Sequence, residues 1–75
     1  SDAERVEVWQ RKLSYAPYDI IKTEIKVLDI TGREVMSQKI SNIHKGDPIE
    51  ISLAALRPGI YIIRLDGQSV KVQKR

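Results

Sequence analysis

The stretch Gly59-Ile-Tyr-Ile-Ile-Arg-Leu-Asp-Gly-Gln-Ser-Val-Lys-Val-Gln-Lys-Arg75 decides the fold. Two apolar runs of strand length flank Asp66-Gly67, a dipeptide that closes two-residue hairpins because both central residues of a type I′ turn take positive φ. Residues 60–65 read as a strand with Tyr61, Ile63 and Leu65 inward, since Arg64 needs solvent. Residues 69–75 return as its partner, with Val70 and Val72 inward and with Lys71 and Lys74 outward.

Upstream, Arg57-Pro-Gly59 predicts a turn in which proline presets φ and glycine supplies a positive φ at the third position. Ile49-Glu-Ile-Ser-Leu53 predicts a compact strand with Ile49, Ile51 and Leu53 facing the core, and Leu53-Ala-Ala-Leu56 a single helical turn. Residues 42–48 form a polar loop. Further back, a strand over 23–29, extended backwards by Ile20 and Ile21, is joined to a strand over 33–40 by Asp29-Ile-Thr-Gly-Arg33. There Asp29 can accept hydrogen bonds from the backbone ahead of it, and Gly32 can take the left-handed conformation. Ser14-Tyr-Ala-Pro17 is a break, because Pro17 cannot donate to a ladder. Before it, residues 5–13 alternate as a strand, Val6 and Val8 on one face and Trp9 and Leu13 on the other. Short strands so regularly spaced predict an all-β fold, a small antiparallel immunoglobulin-like β-sandwich of about six to seven strands over residues 5–75, with residues 1–4 as linker.

Composition agrees. Seventy-five residues make one small domain, which at this size buries only about 60% of its unfolded surface. Hydrophobic residues reach 41% with no Phe, so the core rests on Ile, Val and Leu, and branched side chains suit a pleated surface. Cysteine is absent, which excludes disulfides, a thiolate nucleophile and a Cys-based metal site. No apolar run approaches the roughly 20 residues that span a bilayer, so direct membrane insertion is not expected. Ser1-Asp-Ala-Glu4 lacks the basic-then-apolar signature of a signal peptide, which implies either a cytosolic protein or an export signal lying elsewhere. The net charge of +3 comes from thirteen basic and ten acidic residues. They are interspersed except at Lys71, Lys74 and Arg75, too few cations to imply nucleic acid.

No constellation for catalysis is present. His44 is the single histidine, in a Gly/Pro-rich loop, and reads as an exposed loop residue rather than a zinc ligand. Asp29, Asp47 and Asp66 read as turn formers. The four glycines fall in four separate turns, so there is no phosphate loop. With neither an activated nucleophile nor a placed acid–base pair, no catalytic residue, metal or cofactor is expected. Trp9 and Tyr61 read as packing residues; Tyr15 and Tyr18 flank Pro17, where a surface position is open to them, and the sequence assigns them no role.

Three motifs in order carry a family resemblance: Asp29-x-x-Gly32-Arg33, then Leu56-x-x-Gly59-x-Tyr61, then Lys71-Val72-x-Lys74 at the C-terminal end. The chain resembles the type A C-terminal sorting domain of type IX secretion cargo, most closely over residues 24–75. That resemblance implies a domain without chemistry of its own. It would carry cargo from the periplasm across the outer membrane to the cell surface or medium, in partnership with the type IX translocon and its sortase and shuttle proteins. It would then be cleaved off by a sortase-like peptidase. Lys71, Val72, Gln73, Lys74 and Arg75 would be the recognised element, by strand addition with electrostatic selection. Asp29, Gly32, Arg33, Leu56, Gly59 and Tyr61 would fix the fold displaying it. The Tyr-Pro-Asn-Pro strand with which many members begin is absent here. A missing strand leaves an edge that strand exchange in a homodimer could complete. The competing reading is a stand-alone immunoglobulin-like adhesion or carbohydrate-binding module, which requires Trp9, Tyr15 or Tyr18 exposed on one face.

Overall fold

The computed structural model describes residues 15–75; the strand expected over 5–13, with Trp9, lies outside them. Four antiparallel strands form one sheet: β1 (Ile20–Asp29), β2 (Glu34–Ile43), β3 (Gly59–Leu65) and β4 (Gln68–Lys74), in the order β2-β1-β3-β4. Both hairpins arise from local turn chemistry. At the first, the Asp29 carboxylate accepts from the Thr31 and Arg33 amides at 2.9 and 3.0 Å, and Gly32 sits at φ 88°. At the second, Leu65 pairs with Gln68 across a two-residue loop.

Three turn and strand expectations are corrected. Of the two central residues of the second hairpin only Asp66 has positive φ, at 52°; Gly67 does not, so the turn is not type I′. Gly59 likewise lacks the positive φ expected of it and instead opens β3. Ile49, Ile51 and Leu53 are buried as expected, but among the described residues their segment joins no ladder beyond the single bridge Tyr15–Pro48. Its apolar side chains join the core cluster of the sheet. The turn at 53–56 forms, closed by a 3.0 Å bond from the Leu56 amide to the Leu53 carbonyl.

The core lies between the sheet and that segment. Ile25, Val27, Tyr61, Ile63, Leu65 and Val72 descend from β1, β3 and β4, and Ile49, Ile51 and Leu53 meet them from below. Period-two alternation puts these side chains on one face. Ala16 closes one end, its amide donating to the Asp47 carbonyl and its carbonyl accepting from the Gly46 amide, both at 2.8 Å. Thus the described residues make an all-β fold of four strands in one sheet, opposed by an irregular apolar layer. This is a coarser architecture than the six or seven strands expected.

Candidate functional site

Strand β4 lies at the sheet edge, and on its outer side no strand stands among the described residues. Its register with β3 is unbroken from Leu65–Gln68 to Gly59–Lys74. A two-residue hairpin makes its closing pair a hydrogen-bonded one, and every second pair after it likewise. The backbone groups of Gln68, Val70, Val72 and Lys74 therefore bond to β3. Those of Ser69, Lys71 and Gln73 turn to the open side. The opposite edge is different. Where β2 pairs with β1 the register slips between Val27 and Leu28, and such a bulge distorts an edge as a template.

Side chains divide the same way. Val72 is 4% exposed, a core residue, while Lys71, Gln73 and Arg75 face solvent. Lys74 corrects an expectation: it does not point outward. It shares the row of Val70 and Val72, and its ammonium donates to the carbonyls of Leu53 at 2.8 Å and Ala54 at 3.3 Å. Lys74 thus clamps the last strand to the segment beneath the sheet. Val72 and Lys74 contribute to any recognition through the placement of the strand, not as exposed groups.

The other motif residues build corners. Tyr61 reaches back over Gly59, whose Cα would carry a Cβ 3.8 Å from the ring, an ordinary contact. Its hydroxyl donates to the Arg57 carbonyl at 2.5 Å, as at the tyrosine corner of immunoglobulin-type sandwiches. Leu56 packs against the core rim. Asp29 holds its turn with an acceptor cluster. A hydrogen bond from the Thr31 hydroxyl above all, with the Arg33 and Thr31 amides and the Arg33 charge, outweighs desolvation and lowers its pKa. Arg33 Nε lies 3.4 Å from the carboxylate.

Asp66 has a role that the sequence did not reveal. Its carboxylate accepts from the Tyr18 hydroxyl and, at 2.9 Å, from the Thr23 hydroxyl, tying the β3–β4 turn to β1 and to the residues before it. The Tyr18 pKa is raised, chiefly by that hydrogen bond, then by desolvation and the carboxylate charge. These partners lie 48 and 43 residues away, and no local signal announces them. Tyr15 and Tyr18 are both exposed, as the adhesion reading requires, but the Tyr18 hydroxyl is committed to Asp66. His44 is exposed, and Asp47 accepts its amide at 2.8 Å, another turn aspartate. No group of three or more metal-ligating side chains occurs among the described residues.

Comparison with known proteins gives one result. Residues 10–75 match the family model described as the secretion system C-terminal sorting domain. No curated protein and no solved structure matches the chain.

Proposed function

This chain belongs to the secretion system C-terminal sorting domain family, and from that premise we propose that it directs a larger cargo protein across the outer membrane and is then removed by a sortase-like peptidase. Membership implies interaction with the type IX secretion machinery and export to the cell surface or medium. The domain family is not itself catalytic. Passage through the periplasm and contact with the translocon, the sortase and its shuttle proteins belong to the proposal.

One observation carries the mechanistic part. Among the described residues the C-terminal strand is a regular edge strand whose outer side offers the backbone groups of Ser69, Lys71 and Gln73. A receptor strand can add to such an edge, with main-chain bonds giving affinity and Lys71 and Arg75 supplying electrostatic selection. The recognised element is the tail over Lys71, Val72, Gln73, Lys74 and Arg75. The tyrosine corner and the apolar layer beneath the sheet support an immunoglobulin-like sandwich as the scaffold. The same edge could accept a second copy by strand exchange, which a concentration-dependent mass measurement would detect.

The test is export. A periplasmic reporter is fused ahead of this chain in a type IX-competent bacterium. Surface delivery that requires residues 10–75 is the expected result. A reporter that stays periplasmic in the intact fusion overturns the sorting function and moves the adhesion reading, with Tyr15 and Tyr18 exposed, ahead of it.

A further inference from the structure

Acids and bases are interspersed along the chain, but on the sheet face turned away from the core the charged residues of β3 and β4, Arg64 and Lys71, are both basic. Lys26 of β1 stands directly opposite Arg64 of β3. Lys71 of β4, opposite Ile62, lies on the diagonal from Arg64. Like charges directly opposite destabilise a sheet, and neither β3 nor β4 contains a carboxylate to separate them. The neighbouring acids are engaged by groups other than Arg64 and Lys71. Glu34 lies 3.6 Å from the Lys26 ammonium, Glu24 faces Lys39 across the β1–β2 pair, and Asp66 accepts from Tyr18 and Thr23. Arg64 and Lys71 are exposed and have no carboxylate partner among the described residues.

Apolar surface lies beside these cations. Ile60 is 42% exposed, and Ile62, two residues on along β3, is half-buried on the same face. An open groove of about 360 Å³, lined by Thr23, Glu24, Lys26, Arg64 and Asp66, runs along the Asp66 end of this face. We propose that this face docks an acidic segment of a partner protein of the export machinery, its carboxylates on Arg64 and Lys71 and its apolar side chains on Ile60 and Ile62. Charge complementarity selects the acidic partner. The isoleucines select a protein over a polyphosphate or lipid phosphate, which would use the cations alone.

The inference rests on the export reading, and one experiment separates the two. In the reporter fusion, Arg64→Glu and Ile60→Ser should each cut surface delivery at least tenfold. Arg64→Glu should melt no lower than the parent, because the new carboxylate faces Lys26. Lys45→Glu, in the exposed loop, should be delivered like the parent. Normal delivery of Arg64→Glu overturns the docking claim alone; a parent fusion that is never exported overturns both. A benzophenone side chain placed at position 60 of the exporting fusion identifies the occupant. An adduct on an acidic segment of a protein of the export machinery supports the claim, whereas an adduct on lipopolysaccharide or nucleic acid overturns it.

Discussion

Two glycines of the recognition motifs do different work, and substitution separates them. Gly32, at φ 88°, is in a conformation that costs an L-residue about 1–2 kcal/mol, so Gly32→Ala should destabilise by that amount in urea melts. Gly59 has no positive φ, and an added Cβ meets only ordinary contact with Tyr61. Gly59→Ala should therefore be neutral or stabilising by up to about 1 kcal/mol, through the unfolded chain. Tyr61→Phe loses the bond to the Arg57 carbonyl and should cost about 0.5–1.5 kcal/mol. Asp29 adds a pH dependence. Because its pKa is lowered in the fold, its contribution is fully present above about pH 4, the ordinary carboxylate range, and is lost as pH falls through the lowered value. The stability gap between parent and Asp29→Ala should accordingly narrow as the pH falls below the ordinary carboxylate range. Asp29 and Gly32 were legible because their turn bonds within four residues. Asp66 was legible as a turn former, but its bonds to Tyr18 and Thr23 were not, because they depend on the folded sheet.

At the scale of elements, the alternation that built β4 also carried the signal that was missed. Val70, Val72 and Lys74 are two residues apart and share a face, so the period placed Lys74 inward before any contact was known. Reading every terminal lysine as solvated overrode it. The structure resolves the conflict by burying the stem and giving the ammonium two carbonyls, as amphipathic side chains do. Lys74→Met should therefore lower stability and loosen the clamp between β4 and the segment beneath the sheet. Lys71→Gln should leave stability within about 0.5 kcal/mol, as surface changes usually do. Amide hydrogen exchange along β4 distinguishes the two: faster exchange in Lys74→Met only is the expected pattern. Deleting residues 71–75 would remove Val72 and this clamp together, and so would test folding as much as recognition.

For the whole molecule, the sequence established the β class, both hairpins and the inward rows, because turn chemistry and period-two patterning are local. It did not establish the second layer. Ile49, Ile51 and Leu53 alternate like a strand, and that alternation correctly reports which side chains are buried, while among the described residues the segment shows only the bridge Tyr15–Pro48. Nor could linear interspersion of charge reveal that Lys26, Arg64 and Lys71 gather on one sheet face, since cross-strand register creates that cluster. The place of β4 at the edge of the described sheet likewise follows from topology. The most direct test of its role is surface delivery of the reporter fusion carrying Gln73→Pro. The amide of residue 73 points to the open side, and proline is tolerated at such edge positions, so β4 should stay paired with β3. A folded Gln73→Pro fusion held in the periplasm is the predicted result; delivery equal to the parent would contradict recognition through the β4 edge.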